Sequence, residues 1–339
     1  MTASSRTPRW LDLDAAPPIA GLRARFFTDA SDFERLSALM IEAHTLDGIP
    51  WLPTAQNLQV ELDATEGADP VDDIVIVEVD GRVVAASGVE RGVRDDVPTY
   101  EIWGVVDPAF RRRGIGTALL GWSLARARVR ASREDPRTPV NVGTFAQDTE
   151  RDHRALIAAA GLTPVRHFFL MRRAGFAGIP DAPLPGGLEI RAVTEDQHRA
   201  IFDAEMEAFR DHWGHRAPTE GDYATTYGRS ELDTSLWVVA WDGDEVAGVV
   251  QNWVWPEEND RLDRKRGWLE HISVRRPWRR RGLARALTAA SLRKLQAAGL
   301  DEAMLGVDSE NANGALGLYE GLGFVVHSRA TAYSRPLRP

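Results

Sequence analysis

The feature that most restricts how this chain can fold is a repeat the size of a domain. The string Val106-Asp-Pro-Ala-Phe-Arg111-Arg112-Arg113-Gly114-Ile115-Gly116-Thr117 returns as Val274-Arg-Arg-Pro-Trp-Arg279-Arg280-Arg281-Gly282-Leu283-Ala284-Arg285 with the same internal spacing. Each copy follows a β-hairpin signal, an Asp-Gly pair between β-branched runs: Asp80-Gly81 in the first half and Asp242-Gly243 in the second. Each precedes a helical pattern with its basic residues on one face, Gly116 to Arg130 and Ala284 to Ala298. A strand and a helix open each half: Leu22 to Phe26 and Ser31 to Ala43, then Leu188 to Ala192 and Thr194 to Phe209. The run Ser31-Asp32-Phe33-Glu34 reads as a capping box. A strand (Pro139 to Phe145; Glu302 to Val307), a helix (Arg151 to Ala160; Asn313 to Gly321) and a final hairpin (Val165 to Arg172; Val325 to Ser334) complete each half. Between the halves, Ala174 to Gly187 holds three prolines and four glycines and has no periodicity, which marks a linker. The domains therefore read as residues 20–173 and 188–339, joined by 174–187.

Length agrees with two domains, since 339 residues at about 150 per domain gives each half its own core. Hydrophobic residues at 43% and charged residues at 27% exclude a disordered chain and a membrane bundle. The net charge of −9 provides no general attraction to nucleic acid or anionic lipid, so any anion must be held locally. The absence of cysteine removes disulfides, thiolate metal sites and a cysteine nucleophile, and fits a reducing cytoplasm. No apolar run is long enough for a signal peptide or a membrane span, and the chain reads as cytoplasmic.

An Arg-Arg-Arg-Gly-x-Gly/Ala turn between a strand and a helix has a physical use. Small residues let consecutive backbone N–H groups point into one concavity, and the following helix adds unpaired N–H groups and a partial positive charge. Such a nest binds phosphate, and arginines raise the local potential around it. The alternative is a solvated basic turn. A Walker loop would end in Gly-Lys-Ser/Thr and a dinucleotide fingerprint would carry a third glycine; both are missing, which disfavours ATP and NAD.

The strand–Arg-x-x-Gly-x-Gly/Ala–helix unit resembles the acyl-CoA pyrophosphate loop of the GNAT N-acetyltransferase superfamily. The second half adds a later signature that is similar to that family's, Asn311-Ala-Asn-Gly-Ala315-Leu-Gly-Leu-Tyr319-Glu-Gly-Leu-Gly-Phe324. The resemblance spans about Leu22 to Arg172 and Leu188 to Pro336, as two fused copies. It implies an α/β (α+β) fold: two tandem domains, each a mixed, mostly antiparallel sheet flanked by helices, with the fourth and fifth strands splayed. By resemblance, CoA is held by backbone groups of Val106 and Arg111, Arg112, Arg113, Gly114, Ile115, Gly116 and Thr117. In the second half the corresponding groups belong to Ile272, Ser273, Val274, Arg279, Arg280, Arg281, Gly282, Leu283, Ala284 and Arg285. The implied activity is transfer of an acetyl group from acetyl-CoA to a primary amine of a small molecule by direct attack, without a metal. Rival readings are a noncatalytic acyl-CoA-binding sensor and, disfavoured by the acidic balance, a nucleic-acid-binding module.

For proton transfer, Glu270 is the acid–base candidate. It lies in the strand Trp268-Leu-Glu-His-Ile-Ser-Val274, and simple alternation puts it on one face with Ile272 and Val274. A carboxylate beside Trp268 gains a raised pKa, useful for taking a proton from an ammonium. Many relatives carry their base two residues earlier, where this chain has Trp268. By resemblance, Tyr319 is the general acid toward the departing sulfur, with a core tyrosine as its structural alternative. Asn311 matches a CoA-contacting asparagine, or caps a helix. The halves differ: Ile157 stands opposite Tyr319, and Glu101 is one residue out of phase with Glu270 unless a bulge intervenes. Catalysis is therefore expected in the C-terminal half, with the N-terminal half degenerate. His212 and Trp213 are candidates for the acceptor pocket, where Asp211 or Glu207 could attract an ammonium; Tyr333 could reach the site from the last hairpin. The chain is expected to be a monomer or homodimer.

Overall fold

A computed structural model describes residues 7–338 except 66, 230, 312 and 313. Asn313, the start of a helix in the sequence reading, lies outside these. The chain forms two compact units, Met1–Val165 with Thr331–Pro339, and Arg166–Ala330.

In the first unit the elements run β1 (Trp10–Leu11), β2 (Leu22–Phe26), α1 (Ser31–Asp47), α2 (Ala55–Ala64), α3 (Pro70–Asp73), β3 (Ile74–Val79), β4 (Arg82–Arg94), β5 (Val97–Val106), α4 (Ile115–Ala131), β6 (Val140–Gln147) and α5 (Arg151–Ala159). The strands lie in the order β1-β2-β3-β4-β5-β6. Neighbours are antiparallel except β5 and β6. Helix α1 covers one face of the sheet, setting Phe33, Leu36 and Leu39 on Ile74, Ile76 and Ala86. On the other face, Ile115, Ala118 and Leu119 of α4 pack on Val75, Val77 and Val84. This assignment of faces follows from strand alternation in β3, whose residues 74 to 77 are all buried between the two helices.

The start of α1 departs from the capping box. Its N-cap is Ala30, with no side-chain cap. Asp32 is instead turned inward, 1% exposed, where it takes two hydrogen bonds from Arg25 at 2.6 and 2.8 Å and one from the Thr28 N–H. A buried guanidinium needs a carboxylate more than a helix start needs a cap. Ser31 bonds Asp29.

The second unit contains β7 (Thr163–Ala174) from Arg166 onward, β8 (Glu189–Arg191), α6 (His198–Ala208), α7 (Glu220–Tyr227), β9 (Val238–Asp242), β10 (Glu245–Trp253), α8 (Pro256–Leu262), β11 (Arg266–Val274), α9 (Leu283–Ala297), β12 (Glu302–Asp308), α10 (Ala315–Glu320) and the start of β13 (Val325–Arg338). Its order is β8-β9-β10-β11-β12-β7. Leu283, Leu287, Leu292 and Leu295 of α9 pack on Val238, Val250, Leu269 and Leu305. Fully buried leucines such as Leu287 and Leu292 each contribute about 2 kcal/mol of apolar burial. Trp237, Trp241, Trp253 and Trp268 fill the opposite face with Ile201 of α6.

The unit boundaries depart from the sequence reading because the last strand of each half is not a hairpin. Residues Phe168–Ala174 of β7 pair with β12 of the second unit. The end of β13 lies beside β6 in the first unit, where Ser334 donates to the Val142 carbonyl at 2.9 Å and Tyr333 packs on Val140 and Val142. Tyr333 is thus a core residue of the first unit rather than part of a site in the second.

Candidate active site

The same strand–loop–helix geometry occurs twice. β11 pairs in parallel with β12 only at Arg266, Gly267 and Trp268, although both strands continue. β5 pairs with β6 only at Thr99, Tyr100 and Glu101. Beyond these residues the strands part, so the outer edge of Leu269 to Val274, including Ile272, Ser273 and Val274, faces a gap, as does the end of β5 at Val106.

At the end of each parted strand lies the repeated loop. Arg112 has φ +60° and Gly114 φ +94°; Arg280 has φ +62° and Gly282 φ +85°. The two loops thus share one backbone shape, and the glycine is required where φ is largest. Ala284 replaces Gly116 without difficulty, since a Cβ at Gly116 would meet only ordinary contacts, 3.5 Å from Leu156. None of the N–H groups of Arg112, Arg113, Gly114, Ile115, Gly116 and Thr117 has a partner among the described residues, and the same holds from Arg280 to Arg285. The first intrahelical bonds start only at Ala118 to Gly114 and Ala286 to Gly282. Each loop therefore presents a run of unpaired N–H groups at the positive end of a long helix, a nest for a diphosphate.

The leading arginine of each loop has a different task from the one expected. Arg111 donates to the Val106 carbonyl and, in a fork at 2.7 and 2.8 Å, to Asp47. Arg279 donates to the Val274 carbonyl, to Asp211 at 2.6 Å and to the Ala208 carbonyl. Both guanidiniums fold back and tie the loop to its strand and to the first helical segment, with their charge neutralised locally. Arg280 carries no ion pair among the described residues, Arg281 and Arg285 meet only the carbonyls of Gly186 and Gly321, and Arg113 lies over Phe110. These, rather than Arg279, supply unpaired positive charge.

Glu270 occupies a β-bulge. Gln251 pairs with His271 and Asn252 with Leu269, so Glu270 has no partner across the ladder. The extra residue reverses the alternation: Ile272 and Val274 pack toward α9, whereas Glu270 faces Trp255 on the α6 side, its carboxylate accepting a long hydrogen bond of 3.4 Å from the indole. Glu270 and Ile272 therefore do not share a face, contrary to simple alternation. The Glu270 carboxyl reaches water yet is crowded by protein, the situation of a group on the floor of an open cleft. Desolvation there raises its pKa, against the opposing pull of His271, Trp255 and Arg229. In the first unit β4 and β5 pair without a bulge, Glu101 lies opposite Glu90, and its carboxylate is ion-paired to Arg94. The out-of-phase glutamates are explained by the bulge in β11.

Tyr319 is 6% exposed on α10, packed with Leu283 and Phe324, and its hydroxyl has no protein hydrogen-bond partner among the described residues. Burial raises its pKa well above the ordinary tyrosine value, so it stays protonated. Asn311 sits in the turn after β12, and the N-cap of α10 is Gly314, so Asn311 does not cap that helix.

His212 follows α6 with its pKa lowered, chiefly by burial; Asp308, Arg279 and His271 are among its charged neighbours, which places it over the parted strands. Trp213 packs on Phe168. The two acids expected to attract an ammonium are already neutralised: Asp211 pairs with Arg276 and Arg279, and Glu207 with Arg275. The acid that sequence reasoning missed is Glu205, 1% exposed, with Oε1 3.1 Å from Nδ1 of His271. Its spacing from Ile201 and Ala208 on the buried stripe of α6 is the signal that could have found it. No group of three metal-ligating side chains converges among the described residues, and no described helix is long and apolar enough to cross a membrane.

The first unit has its own cavity of about 640 Å³, with Arg112, Gly114, Thr117, Gly104, Thr144 and Ile157 among its lining residues. Ile157 stands there where the second unit has Tyr319.

The comparisons agree with this duplicated geometry. The model of the Acetyltransferase (GNAT) family matches residues 36–134 and again 198–324. A mycothiol acetyltransferase of Clavibacter michiganensis is 33% identical over 255 residues, 74% of this chain and 76% of the relative. One from Streptomyces scabiei is 29% identical over 328 residues, covering 94% and 97%. A solved GCN5-related N-acetyltransferase from Sphaerobacter thermophilus superposes with a TM-score of 0.70 at 26% identity, over 94% of this chain and 96% of the other. A tandem GNAT protein from the clavulanic acid biosynthesis pathway shares the fold, with a TM-score of 0.64 at 18% identity and coverage of 94% and 99%. The chain belongs to the GNAT acetyltransferase family, as a tandem protein with one such domain in each half.

Proposed function

We propose that the protein transfers an acetyl group from acetyl-CoA to a primary amine of a small molecule, and that the C-terminal unit performs the chemistry. The observation that carries this reading is the coincidence, in that unit alone, of an unpaired N–H nest, parted strands, a bulge bearing Glu270 and the protonated Tyr319. Backbone N–H groups from Arg280 to Arg285 hold the diphosphate, and the exposed edge of β11 holds the pantetheine arm and polarises the thioester carbonyl. Orientation of amine and thioester together supplies much of the acceleration. Glu270 accepts a proton from the acceptor nitrogen, Tyr319 donates one to the sulfur, and His212 and Trp213 border the acceptor. The N-terminal unit binds CoA in its cavity and lacks both proton-transfer groups in usable form. The protein acts in the cytoplasm, as a monomer or homodimer, and needs no metal.

A second reading gives it the acceptor of the mycothiol acetyltransferases, favoured by the relatives of that name that match nearly its whole length. The test is acetyl-CoA consumption with a panel of amines and with the mycothiol acetyltransferase acceptor, in wild type, Glu270→Gln and Tyr319→Phe. Loss of turnover in both variants with CoA binding intact supports the assignment; full turnover in both, with loss on mutation near Gly114, transfers catalysis to the other half.

A further inference from the structure

We propose that His271 is a catalytic base of the acyl transfer, held in its reactive tautomer by the buried carboxylate of Glu205; this rests on the acyltransferase reading above. Hydrogen-bond direction along a buried chain of side chains sets this tautomer. The Trp253 indole can only donate, and it donates to Oε1 of Gln251 at 3.2 Å. The Gln251 amide is thereby oriented, and its Nε2 donates to Oε2 of Glu205 at 2.7 Å. Glu205 is left with Oε1 as an acceptor, facing Nδ1 of His271 at 3.1 Å. Both atoms are buried and have no other polar partner among the described residues; they face each other as an ion pair, outside the alignment of a well-formed hydrogen bond. The proton of the neutral imidazole therefore sits on Nδ1, and the lone pair on Nε2.

The ring's position suits that lone pair. Nδ1 is buried although the side chain is 41% exposed, so the accessible edge is the one that carries Nε2. The bulge at Glu270 puts His271 on the α6 face, directly opposite Gln251 in the ladder, at the point where β11 leaves β12. Phe209 lies edge-on to both His271 and His212 and fixes the ring from the side. The charged and titratable groups that face His271 are Glu205 from α6, Glu270 from its own strand and His212 from the turn after α6. Burial disfavours its charged form, but the two carboxylates outweigh this and raise its pKa.

The step balances as follows. An ammonium R–NH₃⁺ gives a proton to Nε2, leaving R–NH₂ and an imidazolium stabilised by Glu205. The nitrogen lone pair forms the C–N bond at the thioester carbonyl, the C–S bond breaks with its electron pair on sulfur, and the nitrogen loses its second proton, to Glu270. Sulfur gains one proton and one is released to water, giving R–NH–acyl, HS-CoA and H⁺. Glu205 is a positioning residue and touches no reactant.

The test uses the full chain. The chain has eight histidines, and the imidazole resonance missing from His271→Gln identifies that of His271 by NMR. In Glu205→Gln, which preserves shape, that resonance titrates at lower pH than in wild type. The acid limb of kcat/KM, measured with acetyl-CoA and whichever of glucosamine, tyramine, putrescine and spermidine is acetylated, moves down in pH with it. His271→Gln lowers kcat/KM about 10²- to 10⁴-fold, the range of a general base, with acetyl-CoA affinity unchanged. An unmoved titration in Glu205→Gln, or turnover in His271→Gln within twofold of wild type, overturns the proposal alone. Wild-type protein that binds acetyl-CoA and acetylates none of these amines overturns the acyltransferase reading together with it.

Discussion

Replacing Gly282 with valine isolates what the C-terminal loop does. Gly282 has φ +85°, a conformation that costs an L residue about 1–2 kcal/mol and a β-branched one more. A Cβ there would meet no atom within 4 Å, so the substitution acts through the backbone and not through a clash. The loop relaxes toward negative φ and swings the N–H groups of Gly282 and Leu283 out of the nest. Each hydrogen bond from an amide to a charged phosphate is worth about 1.5–3 kcal/mol, so two lost bonds amount to about 3–6 kcal/mol. At about 1.4 kcal/mol per decade this weakens CoA binding about 10²- to 10⁴-fold. Isothermal titration with CoA reads the affinity and the number of sites, and acetyl-CoA consumption reads turnover. Gly114→Val introduces the same lesion in the first unit, at φ +94°. It removes one CoA site and leaves kcat in place, whereas Gly282→Val removes the other site and kcat together. Thermal unfolding checks that both variants fold, with a destabilisation near the backbone cost alone. A Gly282→Val protein that binds two CoA molecules with wild-type affinity would refute the view that these amides grip the diphosphate.

Other outcomes follow from the same geometry. Glu270 has a raised pKa in the folded protein, so its charged form opposes folding above that pKa and its neutral form does not below the unfolded value. Glu270→Gln therefore raises the melting temperature at pH 8, leaves it unchanged at pH 4 and abolishes turnover; a gain at both pH values would show the effect is not electrostatic. Tyr319→Phe lowers kcat about 10²-fold, the lower range for a general acid, while the affinity for CoA by calorimetry stays constant. Asp32→Asn removes one of the two carboxylates paired with the buried Arg25 guanidinium and leaves Glu78 at 2.8 Å, so it costs about 1–3 kcal/mol in urea unfolding, less than a fully unpaired buried charge, against a negligible effect for the exposed pair Arg199 and Asp203.

The duplication, the loop and the order of elements were legible because they depend on local spacing and turn chemistry. The bulge at Glu270 was not: it is defined by one residue too many against the register of Gln251 and Asn252, and register belongs to a pair of strands rather than to one. The same holds for charge. Asp211 and Glu207 read as free acids near an acceptor pocket, and only the folded chain brings Arg275, Arg276 and Arg279 onto them. Arg111 and Arg279 read as unpaired charges raising the potential around a phosphate for the corresponding reason, since their acids, Asp47 and Asp211, are distant in sequence. Glu205 was not singled out from the sequence, because a glutamate on an amphipathic helix usually faces solvent.

The exchanged final strands impose an order on biosynthesis. The carbonyl of Val142 waits for the hydroxyl of Ser334, 192 residues downstream, so the first unit cannot close its sheet until the ribosome has also synthesised the whole of the second. Cleavage at the proline-rich segment would likewise separate each half from a strand it needs. A gene split there would yield two fragments that recover activity only when expressed together.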